Sequence, residues 1–180
     1  MGGPKALLTL GGSTFHRRAV GAFGEAGLEL VTVVNPELAD TLPPPVRGEH
    51  RVVNPDPDQD GMFGSVRLGV AEARRLGATG AIVLPVDHPL VGAGDVLSVA
   101  AALHRGAALA VATHQGRRGH PIGIAPSVMD EIADDSSVNT LRDVVHRDRG
   151  RVVEVPVSEG AILGVNTKED LERVSNRSFR

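Results

Sequence analysis

The chain has no cysteine, no tryptophan and no tyrosine, and only four phenylalanines among its 180 residues. Without cysteine there can be no disulfide, thiolate metal site or cysteine nucleophile, a composition compatible with a reducing cytosol. With aromatics at 2%, stacking platforms for single-stranded nucleic acid are argued against. No uninterrupted apolar run approaches the ~20 residues that span a bilayer, and the opening Met1-Gly2-Gly3-Pro4-Lys5 is no secretory signal. We therefore read the chain as cytoplasmic. Charge of one sign is also lacking: 19 basic against 22 acidic residues leave a formal −3. Neither nucleic acid nor an anionic membrane is expected as a partner, and any phosphate must be met by a local site.

What is present is an ordinary globular composition, 41% hydrophobic and 23% charged, with 22 Gly and 12 Pro that imply many tight connections. The length fits a single domain over residues 1–180 that can bury roughly two thirds of its unfolded surface. Internal repeats and low-complexity tails are absent from the sequence.

Hydrophobic spacing predicts a helix over 14–26, with Ser13 or Thr14 as cap and Gly27 as terminator. A buried strand over 28–34 ends at Asn35-Pro36, Pro43-Pro44-Pro45 marks a loop, and a short strand follows over 51–53. The Asp- and Pro-rich stretch 54–60 reads as a loop and 62–76 as a helix closed by Gly77. Ala81-Ile82-Val83-Leu84 reads as the strongest buried strand. Further on, the pattern predicts a helix over 95–103, a strand over 107–113, a basic turn over 116–119 and an extended piece over 120–124. Helices over 127–133 and 140–146, a strand over 152–155 and a last helix over 167–175 capped by Thr167 complete the chain. Nearly continuous apolar strands alternating with helices predict an α/β fold, a mainly parallel sheet covered on both faces. Ligands of such sheets sit beyond the carboxyl ends of the strands.

Residues at those positions carry the candidate chemistry. Asp87, in Leu84-Pro85-Val86-Asp87-His88-Pro89, directly follows a strand between prolines that aim its carboxylate; it is either a metal ligand or a turn-forming acid. Gly61, Gly64 and Ser65 stand where a loop meets a helix, and free amides there favour an anion or a base edge. Equally, the glycines turn the chain and Ser65 caps it. Asp56, Asp58 and Asp60 do not suit a calcium loop, given Pro55, Pro57 and the missing distal Glu. Arg117, Arg118 and His120 at the end of a strand suit an acidic or phosphorylated second substrate, although surface solvation explains the arginines as well. His120 lies in a turn rather than on a periodic face, which favours substrate contact over core packing. The other histidines, His88 among them, lack metal-ligand spacing. Asn166, opening the last helix, offers an oxygen that can join Asp87 on magnesium or else merely caps.

Five segments occur together in order: GGPKALLTLGGST (2–14), NPDPDQDGMFGSVRLGV (54–70), LPVDHPLV (84–91), GRRGHPIGI (116–124) and GVNTKEDLERV (164–174). This succession resembles the MobA-like nucleotidyltransferases, in particular the cytidylyltransferases that attach CMP to molybdopterin. The resemblance implies a Rossmann-like three-layer fold of the nucleotide-diphospho-sugar transferase type. It also implies a magnesium-dependent attack of an acceptor phosphate on the α-phosphorus of CTP with loss of pyrophosphate. It assigns Lys5 to phosphate binding, Asp87 and Asn166 to the metal, and Gly61, Met62 and Ser65 to the nucleotide base. Arg118, Gly119 and His120 would face the acceptor. Many cytidylyltransferases carry an acid where Asn166 stands. Implied partners are CTP or another NTP, a molybdopterin-type phosphorylated acceptor, and a molybdoenzyme or chaperone. Two alternatives stand beside this reading: a related transferase using GTP or a sugar phosphate, and an inactive nucleotide-binding module.

The family opens with a strand and a loop of the form L-x-A-G-x-S-x-R-M-G, and here Met1-Gly2 coincides with its last two positions. The sequence thus predicts an N-terminally incomplete domain, lacking on the order of 15 to 20 residues of strand and loop. Because that strand is central in the family's sheet, the chain as written is expected to be poorly stable and weakly active.

Overall fold

A computed structural model describes residues 3–135 and 137–177, with the backbone alone at Asp60 and Arg177. Met1 and Gly2, compared above with the end of the phosphate loop, lie outside the described residues, as do 178–180. The first described segment forms a 3-10 turn, Lys5–Leu7, and a minimal hairpin of β1 (Thr9–Leu10) and β2 (Ser13–Thr14). Gly11 and Gly12 join its strands at φ 59° and 77°, values that favour glycine in a two-residue turn. Helix α1 (Phe15–Glu25) follows, with the Thr14 hydroxyl accepting from the Arg17 N–H.

The next strand, β3 (Leu30–Val34), pairs in parallel with β4 (Glu49–Val53) through the short helix α2 (Pro36–Thr41). Helix α3 (Pro57–Arg75) leads to β5 (Ala81–Val83), and α4 (Ala93–His104) leads to β6 (Leu109–His114) and β7 (Arg117–Ile124). Then come α5 (Pro126–Asp134), α6 (Leu141–Arg147), β8 (Val152–Pro156) and α7 (Lys168–Arg177).

The larger sheet has the order β5-β7-β6-β8. Strand β7 is antiparallel to both β5 and β6, while β6 and β8 are parallel. Hence β5, β6 and β8 share one direction and β7 alone is reversed, which fits a mainly parallel sheet with one inverted strand. The reversal arises from a tight hairpin: His114 pairs with Arg117, and Gln115 and Gly116 turn at φ 49° and 76°. The turn predicted over 116–119 is thereby displaced, and Arg117, Arg118 and Gly119 lie within β7.

Alternation along the strands builds the three layers. Leu109 and Val111 of β6 pack with Val128, Met129 and Ile132 of α5 and Val144 and Val145 of α6, together with Val70 of α3. Ala110 and Ala112 point the other way, into a cluster with Val99 and Ala102 of α4. Gly123 of β7 lies on this face too, and a Cβ there would lie 2.7 Å from Val99. Each large apolar side chain buried in this way contributes roughly 1.5–3 kcal/mol.

Two sequence readings change. The stretch 54–60 is not wholly a loop: α3 begins at Pro57, with Asp56 accepting from the Gln59 N–H, and is broken at Gly61, where φ is 59°. Proline at the first helical turn loses no intrahelical hydrogen bond, so Pro57 starts rather than prevents the helix. The most buried strand is β6, not β5, whose residues are only half-buried. The reason lies at its edge.

Among the described residues, β5 is bonded to β7 alone and β3 to β4 alone. Both strands nevertheless rest on the same helices. Leu30 of β3 and Ile82 and Leu84 of the β5 region join Phe23 of α1 and Val96 of α4 in one cluster. On the opposite face, α3 approaches Val33 of β3 at Gly69 and packs Val66 and Ala73 against the cluster that holds Ala81 and Val83. Between the two strands lies a cavity of about 1640 Å³.

Candidate active site

The polar end of this cavity lies beyond the carboxyl ends of β4 and β5, where residues following the strands converge. Asp87 comes soon after β5. Its carbonyl accepts from the Val165 N–H at 2.8 Å, which sets Asn166 beside it across a long stretch of chain. The 3-10 turn Lys5–Leu7 then delivers the ammonium of Lys5. Lys5 Nζ donates to Asp87 Oδ2 at 3.2 Å and to Asn166 Oδ1 at 2.6 Å. A small core beneath fixes the arrangement: Leu10, Phe15, Val165 and Val174 are buried together, with Leu8, Val86, Leu90 and Leu171 around them. Arg18 adds a tie, donating to the Pro89 carbonyl at 2.6 Å.

Asn166 is not the cap of α7. Thr167 fills that place, its hydroxyl accepting from the Asp170 N–H, while Asp170 accepts from the N–H groups of Asn166 and Thr167. The Asn166 side chain is thus free to face Lys5.

The second Asp87 oxygen meets His88, whose Nδ1 lies 2.9 Å from Oδ1. Burial alone would raise the Asp87 carboxyl, but the His88 ring and the Lys5 ammonium outweigh it and hold the pKa at about 2. His120 stacks on His88 with ring centroids 4.6 Å apart. Burial, reinforced by His88 and only partly opposed by Asp87, pushes the His120 pKa down to about 4. At neutral pH the site therefore presents an ionised carboxylate beside a neutral imidazole. Close packing holds both: a Cβ at Gly119 would come within 2.8 Å of the Ile162 backbone, and one at Gly164 within 3.4 Å of the His88 ring.

Ser65 lies on the first turns of α3 after the Gly61 break and accepts from Asn54 Nδ2 at 3.1 Å. Gly61, Met62 and Ser65 line the same cavity as Lys5, Asp87 and His120. Met62 is 70% exposed, open to a ligand at the rim. Arg118 also reaches this rim, but its guanidinium pairs with Glu154 of β8 at 2.8 Å. Asn166 lies with Lys5 and Asp87 rather than on the cavity wall.

Two residues that the sequence reading did not select belong to this arrangement. His88 is one; its adjacency to Asp87 was the available signal. Asn54 is the other. It is 1% exposed, bonded to Ser65, to the Asp56 N–H and through its own N–H to the Val34 carbonyl. An Asn directly after a strand and before a proline was its only mark.

Two uncharged or anionic oxygens around a cation form a hard donor set that suits magnesium or manganese better than a soft metal. Among the described residues no three His, Asp or Glu side chains gather to hold an ion by themselves. An ion here would complete its shell with water and substrate phosphates, as magnesium does in nucleotide sites.

A sequence model described as the MobA-like NTP transferase domain matches residues 1–152. The chain belongs to this family. Comparison with curated proteins finds no match. Among solved structures, Rv0371c of Mycobacterium tuberculosis H37Rv is 24% identical with a TM-score of 0.82, over 98% of this chain and 90% of that one. The same protein has been solved in complex with manganese. The 2-C-methyl-D-erythritol 4-phosphate cytidylyltransferase of Thermus thermophilus is 21% identical with a TM-score of 0.74, over 99% and 95% of the two chains. Molybdopterin-guanine dinucleotide biosynthesis protein A of Archaeoglobus fulgidus is 16% identical with a TM-score of 0.64, over 99% and 92%. At these identities the structures establish the Rossmann-like nucleotidyltransferase fold, and the family match establishes an NTP transferase domain.

Proposed function

We propose that this nucleotidyltransferase moves CMP from CTP to a phosphorylated acceptor of the molybdopterin type, with Asp87 and Asn166 holding a magnesium ion. The observation that carries the reading is the meeting of Lys5, Asp87 and Asn166 at the polar end of a cavity rimmed by Ser65 and His120. Support for the two substrates comes from relatives of the same fold: one is a cytidylyltransferase acting on a sugar-alcohol phosphate, another serves molybdopterin dinucleotide synthesis.

In the reaction an oxygen of the acceptor phosphate bonds to the α-phosphorus of CTP, the bond to the bridging oxygen of the β-phosphate breaks, and pyrophosphate departs with that electron pair. Bound at Asp87 and Asn166, the metal would supply charge neutralisation at the triphosphate. The chain's own groups do the rest. Lys5 offers a mobile positive charge that can turn from the two oxygens toward phosphate. Asp87 stays ionised down to low pH, so the site needs no deprotonation to become competent. Neutral His120 can donate one N–H to the acceptor without adding charge. Ser65, oriented by Asn54, presents a hydroxyl to the nucleotide just past the Gly61 break in α3.

Pyrophosphate release from CTP and from GTP, with molybdopterin as acceptor and magnesium present, tests this. Turnover with CTP is expected, and Asp87→Ala should lower it by roughly 10²–10³-fold, the effect of losing one strong electrostatic contact. Asn166→Ala should cost less and raise the magnesium concentration required. Equal turnover with Asp87→Ala would reject the assignment, and preference for GTP would move the chain to the guanylyl branch. Nucleotide binding without pyrophosphate release would leave a binding module.

A further inference from the structure

Asp87 and His88 are neighbours in sequence, and along a strand adjacent side chains point to opposite faces. Here they meet because β5 has already ended. Residues 85–88 form a turn closed by the His88 N–H on the Pro85 carbonyl at 3.2 Å, and the His88 carbonyl accepts from the Val91 N–H at 3.3 Å. With its main chain bonded at both ends, the residue holds its ring beside the Asp87 carboxylate, Nδ1 lying 2.9 Å from Oδ1. An ionised carboxylate only accepts, so Nδ1 carries the proton of this bond. A neutral ring protonated at Nδ1 and a charged ring both supply that proton, and the tie does not depend on the charge of the ring.

The two carboxylate oxygens thereby divide their work. Oδ1 is taken by His88, while Oδ2 faces Lys5 Nζ at 3.2 Å, beside Asn166 Oδ1, which accepts from the same ammonium at 2.6 Å. A carboxylate held in this way cannot turn about its last torsion without giving up a charge-assisted bond. The oxygen that it offers to a cation is therefore always the same one.

The face of the ring serves a second group. His120 of β7 leans on it, with the two planes at 57°, and the main chain at Gly164 closes another side, where a Cβ would lie 3.4 Å from His88 Cε1 and 3.5 Å from Nε2. The His88 side chain is only 13% exposed. Asp87 and His120 line the cavity, whereas His88 is not among the described residues of its wall. The ring touches both groups that face the cavity without facing it itself, so it can act on a ligand only through them.

We infer that His88 is a positioning residue with two separable parts: its Nδ1–H fixes Asp87 so that Oδ2 is presented to the metal, and its ring face holds His120 toward the acceptor. This rests on the assignment of Asp87 to the metal and His120 to the acceptor made above. The two parts use different atoms of one side chain, so different substitutions remove them. Asparagine places an amide N–H near Nδ1 and has no ring. Phenylalanine has a ring and no donor, and alanine has neither.

The test measures manganese binding without nucleotide, from the paramagnetic resonance signal of the free ion, and the KM for molybdopterin in pyrophosphate release from CTP at saturating metal. His88→Phe should weaken manganese binding about tenfold or more, the usual loss when the partner of a metal ligand is removed, and leave the acceptor KM within about twofold. His88→Asn should bind manganese within about twofold of the native chain and raise the acceptor KM about fivefold, the loss of one ring pair. His88→Ala should show both losses. A ring that merely packs would give the opposite order, with Phe nearest the native chain in both measurements and Asn no better than Ala, and that result overturns the inference. Native manganese binding in all three variants overturns it as well. Asp87→Ala separates this from the assignment beneath it. If that variant loses manganese while His88→Phe keeps it, only the His88 role falls; if Asp87→Ala binds manganese like the native chain, the metal assignment falls and takes the first part with it. Failure of the native chain to turn over molybdopterin would remove the acceptor assignment and the second part.

Discussion

The two sides of the cavity are built on different physics. On the β5-β7-β6-β8 side the strands are stitched edge to edge, and Leu109, Ile124, Met129, Ile132 and Val144 are all 1% exposed or less. On the β3-β4 side only Val34 of β3 is buried, and the pair is pinned by a polar cluster instead. Glu49, at the start of β4, accepts from Thr32 and Arg51 and from the Val46 N–H, and lies 3.0 Å from His16 of α1. One half is held by apolar burial, and the other by a few buried charges. Among the described residues, helices thus cover two separate sheets, one held by apolar burial and the other tied at Glu49.

The contrast can be broken most directly in the apolar half. Leu109→Ala removes a fully buried side chain and should cost roughly 3–5 kcal/mol, whereas Val31→Ala, beside the cavity, should cost under about 1 kcal/mol. Urea unfolding of the two variants checks this. Similar losses would mean that the β3 edge is packed in solution.

Breaking the polar half should cost somewhat less. Glu49→Ala leaves Arg51 and His16 without their shared acceptor, a loss of about 3 kcal/mol by the usual penalty for an orphaned buried charge. Burial alone would raise the Glu49 carboxyl, but the Val46 N–H, His16, Thr32 and Arg51 together lower it. Exchange at β3 and β4 should accelerate while β6 and β7 remain protected; uniform acceleration would show that the halves unfold as one.

A pH titration sharpens the comparison further. His120, in the closed half, has a folded pKa of about 4, below its ordinary 6.5. As pH falls the unfolded chain takes up this proton first, so stability is untouched above about 6.5 and declines between 6.5 and 4. The decline should reach about 2 kcal/mol by pH 4.5. Asp87 acts lower: its contribution is present above 3.8 and is lost as pH falls toward 2. Unfolding midpoints for the native chain and His120→Asn at pH 7 and 4.5 separate the two, since the substitution should flatten only the upper window.

Much of this was legible in the sequence because it is written locally. Thr14 caps α1 and Thr167 caps α7, as their positions ahead of each helix predict. What escaped depends on partners far along the chain. The reversal of β7 turns on a two-residue hairpin at Gln115-Gly116, which looks like any glycine turn until its register is known. Helix α2 is only six residues long, too short for periodicity to reveal, although Asn35-Pro36 marks its start. At the site, Asp87 was legible as a residue following a strand and Asn166 as one opening the last helix. Their convergence rests on the Val165–Asp87 backbone bond, and His88 and Asn54 act through contacts that no spacing encodes.

The smallest effect belongs to Arg118, where the sequence pointed to an acceptor contact and the structure shows a pair with Glu154. Both side chains are well exposed, at 39% and 48%, so solvent screening leaves the pair under about 1 kcal/mol and Arg118→Ala should hardly change unfolding. Catalysis is the more sensitive readout. If the guanidinium leaves Glu154 for an anionic acceptor, Arg118→Ala should raise the acceptor KM by about tenfold, one charge-assisted hydrogen bond, with kcat little changed. Glu154→Gln should lower that KM, because it releases the arginine from its resting partner. An unchanged KM in both variants would make Arg118 a tie between β7 and β8 and leave His120 as the acceptor-facing residue of this segment.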